Sequence, residues 1–447
     1  MATRTRAMRA AATRPQPARR AVLAPVDAFG RGLASGLQRA LRERAAAASI
    51  GNVDGYLVSC VVALCAFGLV MVYSSSEALA YTAYGDAAYY VRRQALAMGL
   101  GAAGLVLIMR IDYHRWRQLA RVLAAVSAVL LVVVLVPHIG TEKLGARRWL
   151  GAGPLSFQPS AVATMVSIVF FSRWLCDRGP AVRTWRVVRR YGTLLVVVVG
   201  AIVLERDLGS AIVLAAVGLA LLALGGARKR ALIVTSGTLM ALGYLAIRAE
   251  SYRSARLQSF SDPFSDPLNT GFQPVQAMYA MGSGGLHGVG LGNSVEKYQW
   301  LPEAQSDFIF AIIGEELGLI GTMSVIVAFG FLLWRGVRVS MRAPDRFGAL
   351  LAGGITAWIG VQAFINMAAV TNVVPTTGIT LPFISFGGTS LVSTLLAIGV
   401  LCNISAQGRR HQGEQKRAHV DRWRGDGWAH HPRDRGRDRA GDEQPAV

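Results

Sequence analysis

Apolar runs about 20 residues long, the length of a membrane-crossing helix, recur along the chain near 54–73, 92–110, 116–137, 159–176, 190–204, 207–226, 230–247, 307–334, 349–373 and 384–405. Hydrocarbon about 30 Å thick is crossed at 1.5 Å per residue, so the pattern predicts ten transmembrane helices. The stretch from 190 to 226 is too long for one span, and Glu205-Arg206-Asp207 interrupts it midway, which predicts a tight hairpin. Most connecting segments are short. Residues 248–306, between helices 7 and 8, are the exception, and they end in Gln305-Ser306-Asp307-Phe308 against the next apolar run. The predicted fold class is an all-α polytopic membrane protein with about ten transmembrane helices and one large loop.

Composition supports this reading: 53% of the 447 residues are hydrophobic. A net charge of +21 would point to nucleic acid in a soluble protein, but here the basic residues sit in the tails and in alternate short loops. Those loops carry Arg110, Arg115, Arg117 and Arg121, then Arg173 to Arg190, then Arg228, Lys229 and Arg230, then Arg335, Arg338, Arg342 and Arg346. The other loops carry Glu77, Asp86, Glu142, Glu205, Asp207, Glu250, Asp262, Asp266, Glu296, Glu303 and Asp307. Lys and Arg accumulate on the cytoplasmic side, so both termini are expected in the cytoplasm and 248–306 outside it. Residues 1–50 hold ten Arg and no signal-peptide pattern, and read as a cytoplasmic disordered arm. Residues 51–405 read as the membrane domain. Residues 406–447 read as a second disordered tail, with basic residues suited to anionic lipid. Cys60, Cys65, Cys176 and Cys402 lie in or beside spans and make neither a disulfide framework nor a zinc spacing. His430-His431 is given no role.

The candidate chemistry gathers on the outer side. Met281 to Gly292 is glycine-rich, but no strand precedes it and no Lys-Ser/Thr follows, which excludes a nucleotide loop. It reads either as a turn or as backbone lying close to a bulky substrate. Ser306 or Asp307 is placed to cap helix 8. If helical geometry begins by Glu303, then Glu303 and Asp307 share a face, and repulsion would raise one of them toward a usable general base. Glu315 and Glu316 lie deeper and need partners, so they read as structural. Arg147, Arg148, Arg253 and Arg256 run against the charge trend; they suit an anionic head group, or pairing with Glu142, Glu250 or lipid phosphate.

These residues carry a resemblance. Gly145-Ala146-Arg147-Arg148-Trp149-Leu150, Phe157-Gln158-Pro159-Ser160, Asp207-Leu208-Gly209, Tyr252-Arg253 with Arg256, Gly271-Phe272-Gln273, Leu301-Pro302-Glu303-Ala304, Asp307-Phe308-Ile309-Phe310, Gly314-Glu315-Glu316-Leu317-Gly318 and Leu381 to Gly388 stand in the order found in the SEDS family (shape, elongation, division and sporulation). The chain resembles that family, typified by FtsW and RodA, over residues 54–405. The resemblance implies a peptidoglycan glycosyltransferase that polymerises lipid II at the outer face of the bacterial cytoplasmic membrane. It implies Asp307 as the catalytic aspartate. It also implies a class B penicillin-binding transpeptidase and divisome membrane proteins as partners, and no nucleic acid. Leu301 to Phe310 and Thr380 to Phe386 look more like the FtsW, or division, branch than the RodA branch, which points to the septum. Under this reading Arg147, Arg148, Arg253, Arg256, Lys297 and Glu303 are the substrate-binding candidates. Arg147, Arg148, Lys297 or a divalent cation such as Mg or Mn would hold the departing pyrophosphate. Two departures stand out: Ala161 and Thr164 replace a Glu and a Lys common in the family, and Arg206 replaces the usual Pro before Asp-Leu-Gly. A lipid flippase is the main rival, but flippases favour repeats around a midplane site, and no repeat is evident.

Overall fold

The computed structural model describes residues 53–426 except 144–145, 152–156 and 299, with backbone alone at 142–143, 146–147, 251–252 and 415–426. Ten apolar helices carry the membrane domain. They are α1 (Gly55–Tyr84), α2 (Tyr89–Met109), α3 (His114–Val133), α4 (Pro159–Arg178), α5 (Trp185–Leu204), α6 (Leu208–Leu224), α7 (Lys229–Arg248), α10 (Ile309–Met341), α11 (Arg346–Val370) and α12 (Gly388–Asp426). The hairpin expected at Glu205-Arg206-Asp207 forms, with Asp207 accepting from the Ser210 amide at 3.0 Å to cap α6. At 17 residues, α6 is the shortest of the ten.

The loops contain structure that apolar periodicity does not reveal. A two-stranded antiparallel hairpin, β1 (Gly140–Lys143) and β2 (Ala146–Leu150), joins α3 to α4, and it supplies the only strands among the described residues. The large loop folds into α8 (Ser251–Ser261) and α9 (Phe272–Gly284). At the far end α12 continues as helix to Asp426, well past the expected boundary at 405. Its extension is tied down: Gln407 donates to Asp112 at 3.2 Å, Arg409 lies 3.4 Å from Asp54, and Arg410 pairs with Glu414 one turn on. Residues 1–52 and 427–447, where the arm and half of the tail were expected, lie outside the described residues.

Two buried contacts hold α1 against α10 and measure the span. Near one end, Asp54 caps α1 and accepts from Arg335 Nε at 3.0 Å. Twenty residues further along α1, Ser74 donates to Glu316 at 2.6 Å, which at 1.5 Å per residue is about 30 Å away. Helix α10 breaks at Gly318 (φ 66°, ψ −161°), a backbone state that glycine adopts freely. The segment after α9 fills the break. Gly285 O and Leu286 O accept from the amides of Leu319 and Ile320 at 2.9 and 3.2 Å, and the amides of Val289 and Gly290 donate to Glu315 O and Glu316 O at 3.0 Å. A Cβ at Gly284 would stand 1.9 Å from Gly314 O, and one at Gly288 2.1 Å from Glu316 O. The glycine stretch therefore serves close packing against α10 rather than contact with a substrate.

Candidate active site

Asp307 does not cap α10. The preceding chain turns at Glu303 (φ 58°), helix begins only at Ile309, and Phe308 occupies the cap position, so Glu303 and Asp307 are not stacked on a helical face. They nevertheless stand side by side on one cavity of about 1500 Å³. Asp307 is half-buried and its main-chain oxygen accepts from Asn366 Nδ2 at 2.8 Å. The same Nδ2 donates to Ile379 O at 2.6 Å, so Asn366 clamps the carboxylate-bearing turn to the segment between α11 and α12. Gln362, one helical turn earlier on α11, donates to Thr380 O at 3.0 Å, and Arg256 of α8 donates to Thr376 O at 3.1 Å. Gly378 (φ 70°) lies between these ties, and a Cβ there would be 3.4 Å from Asp307 Oδ2, so glycine keeps space beside the carboxylate.

Burial is the main cause that lifts the Asp307 carboxyl out of the ordinary carboxylate range. The Glu303 charge adds to it, Arg256 and Arg148 oppose it, and Asp207 contributes weakly upward, leaving it at about 7. Across the cavity, β2 carries Arg148, and the start of α4 is held by Asp207, which accepts from Gln158 at 2.8 Å and Ser160 at 2.9 Å. Gly209 makes this possible, since a Cβ there would lie 2.6 Å from Thr377 O. Glu205, in the same turn as Asp207, is buried with neither carboxylate oxygen hydrogen-bonded, and burial followed by the Asp207 charge raises it to about 8.

Three residues lining the cavity carry a buried polar atom with no partner: Arg148 Nε, Asn366 Oδ1 and Thr377 Oγ1. Buried polar atoms are ordinarily satisfied, so this wall is complementary to a polar ligand. Away from Asp307 the lining becomes apolar, through Leu96, Leu100, Val213, Val392 and Leu396, and Leu96 and Leu100 on α2 are exposed on the outside of the bundle. The cavity thus has a charged, titratable end and an apolar end.

The structure brings Arg148, Arg256, Glu303 and Asp307 together and sets Lys297 and Arg253 apart. Lys297 is buried, donates to Gly292 O at 2.6 Å and lies 3.9 Å from Glu316, where it neutralises a carboxylate inside the bundle. Arg253 donates to Ala246 O and Val203 O at 2.9 and 3.1 Å, stapling α8 to the ends of α5 and α7. The side chain of Arg147 lies outside the described residues. Glu315 accepts from Ser294 Oγ and from the Val295 amide, and Glu316 accepts from Ser74, so both carboxylates are structural, as their depth implied. Of the departures, Ala161 and Thr164 line the cavity, and Arg206 (φ 61°) pairs with Glu250 at 3.7 Å in a conformation closed to proline. Among the described residues no cluster of three or more metal-ligating side chains forms, so these residues offer no ready cage for a divalent cation.

Asn366 and Gln362 were not singled out from the sequence. The available signal was their i, i+4 spacing in an otherwise apolar span, which turns two amides inward together.

The FtsW/RodA/SpoVE family model, described as a cell cycle protein, matches residues 55–410. The chain belongs to this family. It is 39% identical to stage V sporulation protein E of Bacillus subtilis, over 80% of this chain and 98% of that one. It is 38% identical to a probable peptidoglycan glycosyltransferase FtsW of Geobacter metallireducens, over 80% and 96%. Its fold matches the rod shape determining protein RodA of Thermus thermophilus with a TM-score of 0.59 and 28% identity, over 79% of this chain and 96% of that one. A chain from a peptidoglycan synthase complex that coordinates polymerization and crosslinking matches with a TM-score of 0.66 and 28% identity, over 80% and 98%. The protein is a multi-pass membrane protein of RodA-like fold.

Proposed function

We propose that this protein is a peptidoglycan glycosyltransferase that polymerises lipid II, with Asp307 as general base. The observation that carries the reading is the Asp307 carboxyl, held at about 7 at the polar end of a cavity whose other end is apolar and reaches the outside of the bundle. A lipid-linked sugar has that polarity. In the reaction, Asp307 takes the proton from a sugar hydroxyl of the incoming lipid II as its oxygen bonds to the anomeric carbon of the growing strand. The bond from that carbon to the polyprenyl pyrophosphate breaks with inversion, and the leaving oxygens keep the electron pair. Arg148 and Arg256 line the same cavity and would stabilise the departing negative charge.

The finer assignments rest on further features. Asp307 and Glu303 lie at the end of the bundle opposite Asp54, Arg335 and Arg409, which supports cytoplasmic termini and an outer active site. Titratable groups gathered at one boundary favour transfer at one surface over a flippase's midplane site, although the cavity itself reaches inward to Leu100 and Trp358. The likeness to a chain of a peptidoglycan synthase complex supports a class B penicillin-binding transpeptidase as partner. The septal, FtsW-like role rests on Leu301 to Phe310 and Thr380 to Phe386, because FtsW and sporulation relatives match about equally well.

The test is Asp307→Asn in the purified complex with its transpeptidase, scored by glycan polymer formed from lipid II. A folded, inactive variant is the expected result. Polymer at near-normal rate removes Asp307 from the chemistry, and no polymer from the unmodified complex favours the flippase.

A further inference from the structure

The segment that docks into the α10 break presents an apolar outer surface. Leu286, Val289, Leu291, Val295, Tyr298 and Trp300 are 62%, 41%, 55%, 62%, 58% and 55% exposed. The two charges in this stretch do not serve that surface: Lys297 is buried against Glu316, and Glu296 is half-buried.

The depth of this surface can be read from the molecule. It is pinned to α10 between Glu315 and Ile320 by four backbone hydrogen bonds, and by Ser294 and the Val295 amide on the Glu315 carboxylate. Glu316 accepts from Ser74, which stands 20 residues along the continuous α1 from Asp54 at the opposite end, so its level is about 30 Å away. That is the full hydrocarbon thickness of about 30 Å, so the pinned residues lie at the far head-group boundary, and Tyr298 follows with its amide on Val295 O. The surface is also continuous with the lipid-facing flank of α10, where Leu319, Ile320 and Met323 are 49%, 57% and 45% exposed just beyond the break. An apolar surface carrying Tyr and Trp at this level, with His287 and Asn293 as its exposed polar side chains, matches the belt in which aromatic side chains anchor proteins to bilayers.

We infer that residues 286–300 form an interfacial anchor whose apolar side chains are embedded in the outer rim of the lipid bilayer. The anchor would hold α9 and the break in α10 at a fixed height. This inference does not depend on the reaction assigned to the cavity.

The test uses the full chain in lipid nanodiscs, comparing wild type with Trp300→Phe, so that the difference in emission isolates Trp300 from the other tryptophans. Lipids brominated along the acyl chain should lower that difference signal about two-fold, while iodide in the water leaves it unchanged, as for an interfacial tryptophan. Val295→Trp in the Trp300→Phe background supplies a second reporter at the same depth and should behave alike. Quenching by iodide and not by bromolipid at both positions overturns the inference. Iodide quenching that disappears on adding the transpeptidase ectodomain also overturns it, and assigns the surface to a protein partner.

Discussion

If Asp307 is the base, its environment fixes the pH dependence of polymerisation. With the carboxyl at about 7, about one-eleventh of it is ionised at pH 6 and about ten-elevenths at pH 8, so the rate should rise about tenfold across that window. The rate should be measured at saturating lipid II, where substrate binding does not contribute. Burial is the main cause of the shift, and no surface substitution removes it; Glu303 is the next cause and is exposed. Glu303→Gln should therefore move the midpoint down and recover part of the activity lost at pH 6. Arg256→Gln should move the midpoint up, because it deletes a charge that favours the carboxylate. A rate that is flat between pH 6 and 8, or a midpoint that rises in Glu303→Gln, refutes the argument. The same shift has a sign for stability. A carboxyl whose folded value lies above its ordinary 3.8 binds its proton more tightly when folded, so stability is lost as pH rises from about 4 through about 7. Asp307→Asn should accordingly raise Tm more at pH 8 than near pH 4.

Three further outcomes follow from the packing. Removing one partner of the buried Asp54–Arg335 pair, as in Arg335→Leu, should destabilise by about 3–5 kcal/mol, and Asp54→Asn in the same background should recover part of that by thermal unfolding in detergent. Gly318→Ala meets both a left-handed backbone and a Cβ contact of 2.4 Å with the Gly288 amide, so folded yield should fall sharply while Gly282→Ala, with nothing within 4 Å, leaves it intact. Asn366→Leu leaves Asp307 O and Ile379 O without their donor, at about 1–3 kcal/mol each, and should lower kcat more than it raises KM without moving the pH midpoint.

Ten spans and the break at Glu205 to Asp207 were legible because apolar length and a charged interruption are one-dimensional signals. The placement of Asp307 beside Glu303, Arg148 and Arg256 was legible through family motifs. Other features needed the third dimension. The β1–β2 hairpin is nine residues of strand with Arg, Glu and Lys among them, too short and polar for an alternating pattern to register. Lys297 reads as an accessible cation until the fold places it 3.9 Å from Glu316 inside the bundle. The glycines from 281 to 292 resemble a loop that could approach any ligand; that the approach is to α10 is set by Gly318, far along the sequence. The helix of 406–426 escaped notice because its support comes from Asp54 and Asp112 on other segments.

The short α6 gives the reaction its setting. Seventeen residues make a rod about 26 Å long, several ångströms less than the hydrocarbon it crosses. Lipid deformation would be the usual response, but α6 packs against α4, α5 and α11, and about half of its residues are buried. Asp207, at the start of α6, holds Gln158 and Ser160 at the start of α4, and Ser210 on the first turn of α6 lines the cavity, so the short helix is part of the cavity wall. The mismatch is met by neighbouring helices rather than by lipid, so α6 gives the surrounding bilayer no cause to thin.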